Sequence, residues 1–172
     1  ANSFATQTLR NDKGTISAGQ LVLRATNLSN TQGGTIVQTG NGTTAIEIVG
    51  DIDNSGGRLT AVGDLAARAG GAVRNLEGTI AANGDVRLDA GILVNAQGTI
   101  RAVEGALHVA TTGTTSNTGG TLQAGTGVAL NSAGLVNTTG QVIGDSLSID
   151  TRGQKLDNRR GTLAGTTTVS IA

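Results

Sequence analysis

One short motif, apolar-x-Asn-x-x-Gly-x-apolar, recurs along the whole chain and limits what it can fold into. Leu9–Arg10–Asn11–Asp12–Lys13–Gly14–Thr15–Ile16 returns as Val73–Arg74–Asn75–Leu76–Glu77–Gly78–Thr79–Ile80, and again over 93–100, 135–142 and 156–163. The asparagines form a column: Asn11, Asn30, Asn54, Asn75, Asn95, Asn117, Asn137 and Asn158, spaced by 19, 24, 21, 20, 22, 20 and 21 residues. The glycine column is Gly14, Gly57, Gly78, Gly98, Gly120, Gly140 and Gly161. In the second repeat Gly34 stands one residue late, and Gly40–Asn41–Gly42 reads as a further insertion, which together explain the long spacing. A fixed period of this kind is the signature of a repeat architecture, in which single units cannot bury their apolar face and stability comes from stacking.

Within each repeat, apolar residues alternate with polar ones at period two, as in half-buried strands. After the glycine come Ile16, Ile36, Leu59, Ile80, Ile100, Leu122, Val142 and Leu163, followed two residues on by Ala18, Ala61, Ala82, Ala102, Ala124, Gly144 and Gly165. A second alternating pair follows: Leu21/Leu23, Ile46/Ile48, Leu65/Ala67, Val86/Leu88, Leu107/Val109, Val128/Leu130, Leu147/Ile149 and Val169/Ile171. The outward positions between them are then Val22, Glu47, Ala66, Arg87, His108, Ala129, Ser148 and Ser170. Thr15, Thr35, Arg58, Thr79, Thr99, Thr121, Gln141 and Thr162 make a mostly threonine outward column, β-branched yet wettable. Helical repeats need a period of 3.6, and a propeller blade needs about 40 residues.

The pattern therefore predicts an all-β chain, a right-handed parallel β-helix of about eight turns stacked about 4.8 Å apart, or roughly 38 Å of rod. Two strands per turn and three remain equally open. Residues 1–172 read as a single β-helical segment, with 1–8 the tail of a preceding turn and repeats starting near 9, 28, 52, 73, 93, 115, 135 and 156. Both ends fall within a turn, so the chain reads as an interior piece of a longer array. Asparagine is expected to turn the chain at a corner and to bond its neighbours up and down the column, with glycine supplying positive φ there. Thr115 breaks the Leu/Ile/Val column that opens each repeat and predicts a local weakening.

Composition supports a thin core. Hydrophobic residues make up 37%, and Phe4 is the sole aromatic, although aromatics usually dominate a globular core. There are 28 glycines, no prolines, no cysteines and a formal net charge of zero. Missing proline suits unbroken ladders, and missing cysteine excludes disulfides and thiolate sites. Neutral charge gives no reason to expect nucleic acid or an anionic membrane, and no apolar run approaches the ~20 residues that span a bilayer.

The repeated Leu-x-Asn-x-x-Gly-Thr-Ile/Leu-x-Ala wording, seen at 156–163 as Leu-Asp-Asn-Arg-Arg-Gly-Thr-Leu, resembles the haemagglutinin repeats of filamentous haemagglutinin and related two-partner-secretion exoproteins. The resemblance implies a right-handed β-helix, export by a dedicated outer-membrane transporter, and a filament that is secreted or held on the bacterial surface. It also implies one of two roles: an adhesin that meets a host receptor or glycan, or the stalk of a contact-dependent growth-inhibition exoprotein that carries a toxin. The family's secretion domain carries Asn-Pro motifs, so this proline-free chain reads as interior shaft.

Chemistry-bearing residues are sparse. Asp64 and Asp85 stand at equivalent positions of successive turns, with Asp145 and Ser146 at the same corner later, which is the nearest approach to the paired carboxylates of a carbohydrate-active β-helix. His108 is the single histidine and points outward. No nucleophile–base pair, phosphate loop, metal set or cofactor is implied. Asn27–Leu28–Ser29, Asn41–Gly42–Thr43 and Asn137–Thr138–Thr139 match the glycosylation triplet, as expected by chance in an Asn/Thr-rich chain. One basic cluster stands out, Arg152, Lys155, Arg159 and Arg160, which suits a sulfated glycan. Far-UV circular dichroism of the chain is expected to give a strand spectrum; a helix-dominated spectrum overturns the fold.

Overall fold

The computed structural model describes residues 7–172; Phe4 and most of the expected leading tail lie outside them. The described chain is all-β, with parallel strands wound into a solenoid of about eight turns. The seventh and eighth turns contribute two strands, the second of them long enough to span two faces, and each of the first six turns contributes three. In the first turn these are Thr8–Arg10, Thr15–Ala18 and Val22–Ala25. The first strands stack into an 8-stranded sheet. The second and third strands form two further faces, joined into one 14-stranded sheet because in the seventh turn a single strand, Gln141–Asp150, runs through both.

Register follows the sequence columns on the first two faces. Leu9, Leu28, Ile52, Val73, Leu93, Thr115, Leu135 and Leu156 pair in order. So do Ile16, Ile36, Leu59, Ile80, Ile100, Leu122, Val142 and Leu163. Apart from Thr115, these residues meet in one continuous apolar core. A fully buried Leu or Ile contributes about 1.5–3 kcal/mol relative to exposure, and each turn's share is recovered only because a neighbour lies above and below.

On the third face the second turn departs from expectation. Thr44, not Ile46, pairs with Leu65, so Ile46 and Ile48 occupy the second and third inward columns. Ala45 therefore takes the outward place expected for Glu47, and Glu47 joins the next outward column between Arg24 and Arg68. The 40–42 insertion is the cause: the chain enters the strand two residues earlier than hydropathy suggests. Thr44 is fully buried, and its hydroxyl donates to Gln38 Oε1 at 2.8 Å. Gln38 is itself fully buried in the small-residue column between Ala18 and Ala61, where its Oε1 accepts the Leu21 N–H and its amide holds the Gly40 and Gly42 carbonyls.

The asparagine column lies inside the wall. Asn30 through Asn137 are at most 1% exposed. Each side-chain amide donates to the Oδ1 of the next turn: Asn11 to Asn30, Asn30 to Asn54 and Asn54 to Asn75 at 2.7 Å, then Asn75 to Asn95 and Asn95 to Asn117 at 2.8 Å, then Asn117 to Asn137 and Asn137 to Asn158 at 2.7 Å. The same Nδ2 of Asn75 also donates to Gly78 O and to Thr99 O, both at 3.1 Å. Among the described residues no buried side-chain polar atom lacks a partner.

The corner glycines act differently from expectation. Positive φ falls before them, two residues after each asparagine, at Lys13, Gln32, Gly56, Glu77, Gln97, Gly119, Thr139 and Arg160, and in the lengthened second corner at Gly33 as well. Gly14, Gly57, Gly78, Gly98, Gly120, Gly140 and Gly161 have ordinary φ. They are glycine for space: a Cβ on Gly98 would run into the Asn75 backbone oxygen and stand 2.6 Å from Asn95 Oδ1. Thr115 is also fully buried, its hydroxyl 3.2 Å from that of Thr111, which donates to Gly113 O at 2.8 Å.

Gly98→Ala is expected to cost about 3 kcal/mol, the upper end of overpacking penalties. Gln97→Gly should change stability by less than about 1 kcal/mol, because relief of a left-handed side chain offsets glycine's added entropy cost. Equilibrium urea denaturation of both variants checks the assignment; equal losses, or a larger loss at 97, would refute it. Thr115→Val should stabilise by about 0.5–1 kcal/mol, since the Thr111 hydroxyl keeps its Gly113 acceptor while apolar contact in the column is restored. A lower midpoint for that variant would count against this account.

Candidate interaction surface

The four cations of the basic cluster are divided by the fold. Arg152 leaves the third face at a left-handed corner residue, φ 51°. Its backbone N–H donates to Asp150 Oδ1 at 2.7 Å, its Nε to Asn131 Oδ1 at 2.6 Å and its Nη2 to Thr111 O at 2.9 Å, a reach of 41 residues back along the chain. Lys155 and Arg159 belong to the first face and share one carboxylate, Asp157, at 3.2 and 2.9 Å. Arg159 approaches it side-on, with Nε at 2.9 Å from Oδ1 and Nη2 at 2.9 Å from Oδ2. Such fork geometry is strong and directional. Arg160 stands at the exposed left-handed position of the same corner.

The Asp157 side chain is only 6% exposed, whereas Lys155 and Arg159 are 79% and 78% exposed. Hydrogen bonds from the Arg159 side chain, then from its backbone N–H, hold the Asp157 carboxyl far below the usual carboxylate range, with Lys155 adding to the effect. The same bond raises Arg159. The patch thus presents exposed cations anchored on a largely hidden anion.

The acidic pair serves the backbone. Asp64 Oδ1 accepts the Asp85 N–H at 2.9 Å, and Asp85 Oδ1 accepts the Ala106 N–H at 2.8 Å. Each carboxylate caps the turn above it. The same device appears on the first face, where Asn27 Oδ1 accepts the Asp51 N–H at 2.9 Å and Asp51 Oδ1 the Ala72 N–H at 2.8 Å. That bond, with Arg74, lowers the Asp51 carboxyl. Asp12 is lowered by the Ser29 hydroxyl and then by Thr31. Asp145 accepts the Thr166 hydroxyl at 3.0 Å. His108 is exposed, paired in register with Arg87 below and Ala129 above. Among the described residues no three His, Cys, Asp or Glu stand together as metal ligands, and no helix is long and apolar enough to cross a membrane.

Sequence reading missed one organised surface. Arg24, Glu47, Arg68 and Asp89 stack in successive turns as an alternating charge column on the third face. Arg24 and Glu47 pair at 2.8 Å, Arg68 and Asp89 at 3.3 Å, and Arg87 joins Asp89 at 3.0 Å. Their spacing of one repeat was the available signal, hidden by the two-residue shift in the second turn. Exposed pairs of this kind add little stability, typically below 1 kcal/mol each, but they fix which charges the face can offer.

Comparison with known proteins agrees with this architecture. The family model for the haemagglutinin repeat matches in four overlapping stretches, 2–56, 16–76, 48–112 and 102–172. A curated relative from Yersinia pestis, named Toxin CdiA, is 32% identical over 165 residues, which is 96% of this chain and 5% of that protein. The chain thus spans about a twentieth of the relative's length. No solved structure matches it. A corner wording, a ladder and a match that together run from end to end place the chain in the haemagglutinin-repeat family of secreted, cell-surface exoproteins.

Proposed function

We propose that this solenoid is a rigid shaft segment of a secreted or surface-displayed bacterial filament that supports attachment to host cells. The observation that carries this reading is the unbroken asparagine ladder, which ties each described turn to the next through buried hydrogen bonds and leaves function to what the shaft displays. The segment is structural rather than catalytic: its one acidic pair is occupied in capping backbone N–H groups. During export its partner is the outer-membrane transporter of a two-partner system. Its candidate adhesive element is the cation group Lys155, Arg159 and Arg160, with Arg152 on the neighbouring corner, meeting a sulfated host glycan through charge.

A second reading draws on the relative named Toxin CdiA. The same shaft would then be the stalk of a toxin-delivery exoprotein, and its surface cations would have no receptor.

Binding of the purified chain to epithelial cells and to heparin separates the two. The informative variant replaces Arg152, Lys155, Arg159 and Arg160 with Ser and adds Asp157→Asn, so that no carboxylate is left without its partners. Under the adhesive reading, wild-type binding falls steeply with salt and is lost in the variant. It should also stay level from about pH 8 to about pH 5, because Asp157 is held well below that window. Absence of binding by a folded wild-type chain would reject the adhesive role for this segment and favour the stalk.

A further inference from the structure

Two Asn-Gly dipeptides occur in the chain, Asn41–Gly42 and Asn83–Gly84, and both fall where the second face turns into the third. Asn-Gly is the pairing most open to self-modification, because the glycine nitrogen has no neighbouring side chain to shield it. In that reaction the backbone nitrogen of the glycine attacks the asparagine Cγ. A Cγ–N bond forms, the Cγ–Nδ2 bond breaks, ammonia leaves, and a five-membered imide remains. Water then opens the imide at either carbonyl, giving aspartate or, when the main-chain carbonyl is cleaved, isoaspartate. Water enters, ammonia leaves, and no oxidant or catalyst is needed. What the reaction does need is a glycine nitrogen that can lose its proton and swing toward the side chain.

The fold treats the two sites differently. At Gly84 the N–H donates to Gly63 O at 3.2 Å, and the preceding Asn83 N–H donates to Ala61 O at 3.1 Å. The space beside the Gly84 Cα is filled by the Asp64 carboxylate, whose Oδ1 is already bonded to the Asp85 N–H. A fixed nitrogen next to a negative charge resists both the movement and the deprotonation. At Gly42, among the described residues, the N–H donates no hydrogen bond. Asn41 and Gly42 are both exposed, and a Cβ on Gly42 would meet only Gln38 Nε2, at 3.9 Å; the residue is held through its carbonyl, which accepts from that same Nε2, and not through its nitrogen. The eight ladder asparagines are bonded at both ends or locked inside the wall. Asn131 is held by Arg152 and Asp150.

We propose that Asn41–Gly42 is a spontaneous deamidation site built into the second corner insertion, which converts to aspartate and isoaspartate while Asn83–Gly84 and the ladder stay intact. The new carboxylate appears on an exposed corner stacked directly against Gly63, one residue from Asp64 of the next turn. The surface charge of the shaft therefore becomes more negative with age at one defined height, without loss of the fold.

Peptide mapping by mass spectrometry, on the full chain held in mildly alkaline buffer, follows each asparagine with time. Conversion at 41 should outrun that at 83 by about tenfold, the factor corresponding to one hydrogen bond that must first be broken at Gly84. The same chain in denaturant serves as reference, where the two sites should convert at similar rates. A native ratio equal to the denatured one, or faster conversion at 83, would overturn the proposal. Gly42→Val should slow conversion at 41 in both states and leave 83 unchanged; continued rapid loss of the Asn41 amide in that variant would equally reject it.

Discussion

A primary amide can donate on one side and accept on the other, so a column of identical asparagines satisfies itself only when the turns repeat at one constant rise. The rest of this structure is arranged around that condition. The amide column is buried, so a missed bond would cost about 1–3 kcal/mol per orphaned group. That penalty holds the asparagine of every turn at the same place in the wall. The glycine three residues on must lack a side chain because the ladder oxygen and the carbonyl of the previous turn occupy the space. The left-handed residue between them is then obligatory, and the chain accepts Lys13, Gln32, Glu77, Gln97, Thr139 or Arg160 there, since it faces solvent.

Corners of unlike length coexist because the ladder fixes where each asparagine stands, not how many residues its corner holds. The second turn lengthens twice, at Gly33 and at 40–42, yet Thr35 still pairs with Thr15 and Arg58. The core absorbs the change with polar groups: Gln38 fills a place held by alanine or glycine elsewhere, and Thr44 fills a place held by leucine or valine, each bonded to the other. Thr111 and Thr115 repeat the strategy later in the chain.

Much of this was legible in the sequence. The asparagine and glycine spacing gave the turn length, and alternation gave the inward columns of the first two strands, because in both cases the residue type answers directly to a local requirement. Legibility failed where the requirement came from a neighbouring turn. Hydropathy assigned Ile46 to the first inward column, since nothing local marks Thr44 as buried. Glycine at the corner suggested a dihedral requirement, whereas the crowding that demands it comes from Asn75, Asn95 and their equivalents one turn away. The four cations read as one cluster in sequence, but a corner lies between Arg152 and Lys155, and Asp157 draws Lys155 and Arg159 to itself. The outward charge column of Arg24, Glu47, Arg68 and Asp89 was lost with the same two-residue shift.

The amide column also has a direction. In every rung the nitrogen of one turn points to the oxygen of the next, from Asn11 through to Asn158, so the dipoles align and polarise one another along the axis. A solenoid joined to another in reverse would meet nitrogen with nitrogen or oxygen with oxygen. The segment is therefore a vector, and its two ends differ electrically even where their residues are the same.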